Sequence, residues 1–453
     1  MTCELLTGAT GFLGSYLLRD ALAAGREVAV LVRPDRGATA EQRVTTLLAR
    51  FRAETDAPLA TPKVLAGDLK QPGLGLAPDA RAWVADHCHR VLHCAASITF
   101  RARGGEPYAS NVDGTRYVLA LCRDAGIRDF HLVSTAYVAG RREGRVMEDE
   151  LEQGQEFSND YERSKYVSET LVRSAPFLDR WSVYRPSVIV GDSTTGFSSS
   201  RDGLYTFLSI LGLVPQGMTA DTIFARLGLS PDARLNVVPV NWISATIRHL
   251  VERQDTASCT YHLTHPNPVS AAALLAATTE FSGSAPQVPE QALDEVLNVY
   301  RPYLREHCEF DQTNTRRDAA PFPCPPMDAA LIRRLVHYFA SHEFGRVPQQ
   351  ALGVQLALSV VGAEAQTLDL SAPATPRAIS TDEADDARAS AHCTSDTLAR
   401  LMDRELTVEQ ALFGGLVALE GESAYLEQAA GLLQSFVANT SDAPVARMAG
   451  NAA

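Results

Sequence analysis

The sequence predicts an α/β protein with a Rossmann-type, doubly wound parallel sheet, a smaller substrate lobe and a C-terminal α+β domain. Three observations predict it. Short apolar runs alternate with amphipathic stretches through the first 190 residues, a glycine triplet closes the first run, and 453 residues exceed what one hydrophobic core ordinarily supports.

The runs Glu4–Leu6, Glu27–Val32, Lys63–Ala66, Arg90–Cys94, Phe130–Val133 and Ser182–Val190 are nearly continuous apolar segments, the pattern of strands covered on both faces. Helical patterns fill most of the gaps between them. From 191 to 330 the signal weakens: a Gly/Ser-rich loop at Gly196–Ser200, helical pieces near 203–213 and 241–253, and a short strand at Thr260–Thr264 are expected to form the substrate lobe. The proline-rich passage Ala319–Pro326 precedes an amphipathic stretch from Asp328 to Phe344, so the large domain, residues 1–345, is expected to end there. Strand-like runs at Gly353–Val361, Thr367–Leu370 and Ala389–Thr394, an acidic loop at Asp382–Asp386 and a final helix around Glu422–Val437 make residues 346–437 a second domain. Residues 438–453 are small and polar and are expected to form a flexible tail.

Composition narrows the function classes. A formal net charge of −13 argues against nucleic acid, whose phosphates need clustered Lys and Arg. No apolar run approaches the roughly 20 residues of a membrane-spanning helix, and the start, Met1–Thr7, lacks the basic-then-apolar plan of a leader. The expectation is a cytoplasmic protein of unspecified oligomeric state. Eight scattered cysteines without a CxxC pair fit reduced thiols better than a disulfide framework.

The segment Leu5–Gly14 ends a strand and opens the helical pattern Ser15–Ala24. Gly8, Gly11 and Gly14 allow a tight turn and close backbone approach to a pyrophosphate, which then sits at the positive end of the helix. Thr7, Thr10, Phe12 and Leu13 of the same turn are expected beside the dinucleotide. The second strand ends with Arg33, where a protein using NAD usually carries an acid for the ribose hydroxyls. A positive charge there favours a 2′-phosphate and therefore NADPH, although Asp35 stands two residues further on and Arg36 is a second, weaker candidate.

Tyr161 and Lys165 lie four apart in the helical stretch Asn159–Leu171, so both project from one face a turn apart. A free phenol has a pKa of about 10, and a neighbouring ammonium favours its ionised form. That spacing gives Tyr161 an acid/base role and lets Lys165 lower its pKa while holding a ribose. Of the adjacent Ser134 and Thr135, only one can face the site, because residues alternate along a strand.

Thr7–Gly14, Gly67–Leu69, His93–Ala96, Asn111–Thr115, Ser134–Tyr137 and Tyr161–Lys165 together resemble the extended short-chain dehydrogenase/reductases in content and order. Phe12–Gly14, Leu31–Arg33, Tyr184–Ser193 and Val238–Trp242 are most similar to the thioester reductase and fatty acyl-CoA reductase branch. The resemblance covers roughly residues 1–345 and implies that Thr135 is the hydroxyl that acts with Tyr161 and Lys165. It also implies that Asp68 and Leu69 flank the adenine, that Ala95 and Ala96 line the nicotinamide ribose, and that Pro186, Ser187 and Val188 border the nicotinamide. Asn111 braces the sheet or takes part in catalysis. Residues 346–437, through Thr397–Met402 and Gly414–Gly421, are similar to sterol carrier protein-type lipid-binding domains, with a purely structural appendage as the alternative.

The resulting expectation is NADPH-dependent reduction of an acyl thioester, on CoA or a separate carrier protein, to an aldehyde or alcohol. The alternatives are a dehydrogenase, ketoreductase or epimerase acting on a ketone, alcohol or nucleotide-sugar, and a non-catalytic lipid-binding protein. His87-Cys88-His89 with His93-Cys94 matches no common zinc spacing, so no metal is expected. Gly191-Asp192-Ser193 is similar to a phosphopantetheine attachment site, but it follows a strand where that site would open a helix.

Overall fold

The computed structural model describes residues 3–34, 38–54, 59–100, 102, 104–199, 222, 224–225, 230, 233–253, 258–279, 308–341, 356–361, 366–369, 377–379, 389–403, 405–413, 416–421, 432–434 and 436–437. The chain divides into two compact units. Residues 1–198, 235–269 and 306–328 form the first, and 199–234, 270–305 and 329–453 the second.

The first unit is built on a seven-stranded sheet. Its strands include β1 (Cys3–Thr7), β2 (Val28–Val32), β3 (Lys63–Ala66), β4 (Cys88–His93), β5 (Asp129–Val133) and, after the short β6 (Arg145–Val146), β7 (Arg180–Pro186). The order is Cys259–Leu263, β7, β5, β4, β1, β2, β3, with every pairing parallel; Leu5 sits opposite Ala29, and Leu6 opposite Leu92. Successive residues turn to opposite faces, so Leu5 and Leu6 enter different cores. Leu6 packs with Leu17, Ile243 and Ile247, and Leu5 with Val118, Leu121 and Phe130. Helix α1 (Phe12–Ala23), α2 (Ala40–Glu54) and Val240–Glu252 cover the first face, while α3 (Pro78–His87) and α4 (Gly114–Ala125) cover the second. Each fully buried leucine contributes about 1.5–3 kcal/mol relative to exposure, which explains why such double-sided strands read as plain apolar runs.

Two sequence expectations need correction. Ser182–Val190 is two strands: β7 ends at Pro186, and β8 (Val188–Val190) pairs in parallel with Val237–Pro239 in a separate two-stranded sheet. The chain changes partner at Ser187, whose N–H donates to the Leu263 carbonyl while the next N–H, of Val188, donates to Asn236. The strand expected at Thr260–Thr264 runs from Cys259 to Leu263 and is the outermost strand of the main sheet instead of part of a lobe. The helix expected at 241–253 runs from Val240 to Glu252 and packs against α1 in the same core. The helical piece near 203–213 lies outside the described residues.

In the second unit, Ala271–Thr279 packs on Ala329–Ser341, and a five-stranded sheet has the order Arg377–Ile379, Gln366–Asp369, Leu356–Val361, Ala389–Thr394, Val417–Gly421. Leu356–Val361 and Ala389–Thr394 pair in parallel, and the other neighbours are antiparallel. Helix Ser395–Met402 opens with the Thr394 hydroxyl accepting from the Thr397 N–H at 3.1 Å. The acidic loop and the 438–453 tail lie outside the described residues, as does most of the final helix.

Candidate active site

The glycine turn joins β1 to α1. Gly8 has φ +77°, which favours glycine, and a Cβ there would lie 2.6 Å from the Ala95 nitrogen. A Cβ on Gly14 would lie 1.9 Å from the Gly8 carbonyl oxygen, so the first turn of α1 lies directly against the loop. No side chain caps α1 at Gly11, which leaves its first amides as donors for a ligand.

A chain of hydrogen bonds fixes the floor of the crevice between β1 and β4. The Ala95 N–H donates to the Thr7 hydroxyl at 3.2 Å, which lies 2.7 Å from His93 Nδ1. His93 Nε2 lies 3.2 Å from the Thr115 hydroxyl, which donates to the Asn111 carbonyl at 2.5 Å. Counting donors assigns the proton of His93 to Nε2 and makes the ring neutral. Burial holds it neutral by pushing its pKa down to about 3, and the Lys165 charge acts the same way. His93 is therefore committed to the sheet, and His87 stacks on Trp83 at 4.4 Å.

On the adenine side, Arg33 is exposed at the end of β2, whereas Asp35 and Arg36 lie outside the described residues. Arg43, from the first turns of α2, donates to the Arg33 carbonyl and to the Thr10 hydroxyl, the latter at 3.2 Å. The sequence reading missed Arg43: it is one of several arginines in an amphipathic stretch, and only the fold brings it to the glycine loop. Asp68 closes the turn after β3 by accepting from Lys70 N–H at 3.0 Å, and Leu69 packs beside Gly114.

Helix α5 (Asp160–Arg173) carries Tyr161 and Lys165. Its start is fixed reciprocally: the Asn159 side chain accepts from Glu162 N–H at 2.9 Å, and the Glu162 carboxylate accepts from Ser158 N–H at 2.8 Å. Asp160 straps the loop after β4 to the helix through Ala102 N–H and the Tyr108 hydroxyl, which places Phe100 edge-on to the Tyr161 ring at 6.2 Å. Ser134 and Thr135 diverge. The Ser134 hydroxyl donates to Glu169 at 3.0 Å, while the Thr135 hydroxyl accepts from Tyr137 N–H at 3.3 Å, reaches the Pro186 carbonyl at 3.5 Å and lies beside the Tyr161 phenol.

The Lys165 ammonium is buried and donates to the Val133 carbonyl at 2.7 Å. Burial lowers its pKa to about 8, against the opposing pull of Cys94 and Glu169. Burial also pushes the Tyr161 hydroxyl up to about 12, with the nearby Thr135 hydroxyl acting in the other direction. The expectation that Lys165 lowers the phenol is not met, because desolvation outweighs every favourable contact. Asn111 is wholly buried; its amide donates to Ser97 O and Ser164 Oγ and accepts from Ser97 N–H, which ties α5 to the loop after β4.

Pro186, Ser187 and Val188 lie where the chain leaves β7, and Ala95 and Ala96 where it leaves β4. The Ser187 hydroxyl is buried without a hydrogen-bond partner among the described residues. In the Gly191–Ser193 loop, Asp192 accepts from Thr194 and Thr195 N–H, and Ser193 N–H donates to the Asn241 side chain at 2.9 Å. That loop follows β8 and is not at the start of a helix.

Fold and site define an oxidoreductase of the short-chain dehydrogenase/reductase type with a nicotinamide-dinucleotide-binding domain. The chain belongs to the NAD-binding family described as male sterility protein, whose model matches residues 6–247. It is 31% identical over 286 residues to a component of the linear gramicidin synthase of Brevibacillus parabrevis, covering 60% of this chain and 5% of that protein. It is 30% identical over 387 residues to aldehyde reductase lnaA of Aspergillus flavus, covering 74% of this chain and 35% of that one. The chain thus spans about a third or less of these curated relatives. Among solved structures it is similar to the terminal R domain from the myxalamid PKS-NRPS biosynthetic pathway, at 26% identity and a TM-score of 0.64, over 77% of this chain and 93% of that one.

Proposed function

We propose that this chain uses NADPH to reduce an acyl thioester, carried on CoA or on a separate carrier protein, to the aldehyde or alcohol. The observation that carries the reading is the placement of the Thr135 hydroxyl beside Tyr161, one helical turn from the buried Lys165, at the carboxyl ends of β5 and its neighbours. The relatives support the substrate class, since one belongs to a linear gramicidin synthase and the R domain comes from a PKS-NRPS pathway.

The residues fit a dinucleotide. A Cβ would fill the cradle at Gly8 and Gly14, and Ser187 keeps a buried hydroxyl, unpartnered among the described residues, beside the expected nicotinamide position. In this reading Thr7, Thr10, Phe12 and Leu13 surround the pyrophosphate with the glycines, Asp68 and Leu69 flank the adenine, and Arg33 with Arg43 takes the 2′-phosphate. Ala95, Ala96, Pro186 and Val188 line the nicotinamide end. When bound, the cofactor supplies two electrons to the carbonyl carbon as a hydride equivalent.

Thr135 and Tyr161 hold the carbonyl oxygen as negative charge develops on it, and Tyr161 donates its proton there. Its high pKa keeps that proton available at neutral pH. Lys165 keeps one N–H on Val133 and turns the others to the ribose. For a thioester the product is a hemithioacetal; breakage of its C–S bond releases the thiol and the aldehyde, and a second reduction yields the alcohol.

We assign residues 1–345 to the reductase, with its substrate lobe drawn from 191–330, residues 346–437 to a sterol carrier protein-like lipid-binding module, 438–453 to a tail, and the whole to the cytoplasm. The five-stranded sheet, with Leu358, Ala391, Leu398 and Leu401 buried, supports an α+β module. No helix among the described residues is long and apolar enough to cross a membrane.

NADPH consumption with acyl-CoA, acyl-carrier, aldehyde and ketone substrates tests the reading. Turnover of thioesters that is lost in Tyr161→Phe is the expected result; turnover of ketones or nucleotide-sugars alone would overturn the substrate class.

A further inference from the structure

Tyr161, Lys165 and Glu169 follow one another at a spacing of four along a single face of α5. Glu169 is wholly buried, and its carboxylate takes three hydrogen bonds and one further ion pair. Oε1 accepts from Arg185 Nη2 and is ion-paired with Arg173 Nη2, each at 2.6 Å. Oε2 accepts from Arg185 Nε at 3.1 Å and from the Ser134 hydroxyl at 3.0 Å.

Arg185 is itself held from its outer side. Nη2 donates to the Glu150 carbonyl at 2.7 Å, and Nη1 lies 3.1 Å from His262 Nε2, so the guanidinium has one orientation. Such a pair persists in a dry interior only when its donors and acceptors are matched, and these are.

We propose that Glu169 is a positioning residue that sets the mutual register of the three segments carrying the reacting groups. These are the end of β5 with Thr135, helix α5 with Tyr161 and Lys165, and the end of β7 with Pro186 and Ser187. The inference rests on the catalytic reading of Thr135, Tyr161 and Lys165. Ser134 and Thr135 are adjacent and Thr135 is in extended backbone, so anchoring the Ser134 hydroxyl on Glu169 turns Thr135 to the other side, where its hydroxyl meets the Pro186 carbonyl at 3.5 Å and lies beside Tyr161. Arg185 precedes Pro186, so the same carboxylate fixes where β7 delivers its last residues.

A shift of reacting groups by a fraction of an ångström slows the chemical step while leaving the distant glycine cradle intact. Full-length Glu169→Gln is therefore expected to lower kcat on thioester by about tenfold or more, with the NADPH KM changed by less than about threefold. Ser134→Ala, which removes a single donor, is expected to lower kcat by a few-fold. The double variant is expected to be no slower than Glu169→Gln alone, because both changes cut one link.

An unchanged kcat in Glu169→Gln, or losses that multiply in the double variant, would overturn the proposal. If Glu169→Gln does not fold, as judged by circular dichroism, Ser134→Ala decides: an unchanged kcat overturns it, and a fall in kcat with constant NADPH KM supports it. Tyr161→Phe, run in parallel, separates the two levels. Activity retained in Tyr161→Phe sinks the catalytic reading, whereas an inactive Tyr161→Phe beside a fully active Glu169→Gln sinks the positioning role alone.

Discussion

Arg43 and Thr10 are joined by a hydrogen bond of 3.2 Å, which brings an arginine from α2 to the glycine turn while its other nitrogen holds the Arg33 carbonyl. Arg43 thus reaches the end of β2 beside the backbone of Arg33, where the proposed reading puts a 2′-phosphate. Arg43→Ala is expected to weaken NADPH by about tenfold or more, the scale of one charge-assisted contact, and to leave NADH nearly unaffected. Arg33→Ala should act in the same direction. Kd values for both dinucleotides check this, and an unchanged NADPH-to-NADH ratio in both variants would remove the assignment.

The divergence of Ser134 and Thr135 gives a second outcome. Thr135→Ala removes the hydroxyl beside Tyr161 and is expected to lower kcat by about a hundredfold, as loss of an oxyanion donor does. Thr135→Ser retains the hydroxyl and should recover most of that loss. Steady-state kinetics on one thioester are sufficient; a Thr135→Ala protein with wild-type kcat would show that the oxygen is held elsewhere.

Burial of Lys165 sets a pH dependence. Its folded pKa is lowered to about 8, so the ammonium is complete below that value and lost as pH rises through it. Tyr161, pushed up to about 12, does not titrate in the same range. The groups facing Lys165 are Cys94, itself raised to about 12 by burial, and the ion-paired Glu169. Thus kcat/KM is expected to fall above about pH 8, and Lys165→Arg, charged throughout, should lose that limb even at reduced activity. A wild-type profile that is flat between about pH 7 and 10 would contradict it.

The sheet was legible because its strands are covered on both faces: β1 and β2 are buried at every position, and β2 reads as an unbroken apolar run while β1 carries Cys3, Leu5 and Leu6 alongside its polar Glu4 and Thr7. Glycine spacing and the Tyr161–Lys165 interval were legible because each is a local geometric demand. What escaped depends on contacts between distant segments. Cys259–Leu263 resembles any short apolar strand, and its place beside β7 follows from pairings such as Tyr184 with Tyr261, far apart in sequence. Ser187 is an ordinary serine until the change of strand partner buries its hydroxyl. The Tyr161 pKa went the other way because spacing reveals the neighbouring ammonium but not the desolvation that outweighs it.

Glycine in the turn has a final consequence, separable into packing and backbone terms. A Cβ at Gly14 would lie 1.9 Å from the Gly8 oxygen and 2.6 Å from its carbon, far inside the roughly 3.5–4 Å of favourable contact. Both atoms are backbone, so α1 must move off the loop that is to hold the pyrophosphate. At Gly25 the backbone is left-handed, with φ +68°, but among the described residues nothing lies within 4 Å of an added Cβ. Gly25→Ala is accordingly expected to cost about 1 kcal/mol of stability and leave NADPH affinity unchanged. Gly14→Ala should weaken NADPH binding by more than about a hundredfold in protein that remains folded, because the cradle is displaced even where the core survives. Thermal denaturation with and without NADPH reads both effects: a ligand-induced rise in Tm retained in Gly25→Ala and absent from Gly14→Ala is the predicted pair, and the same rise in both would place the dinucleotide away from this turn.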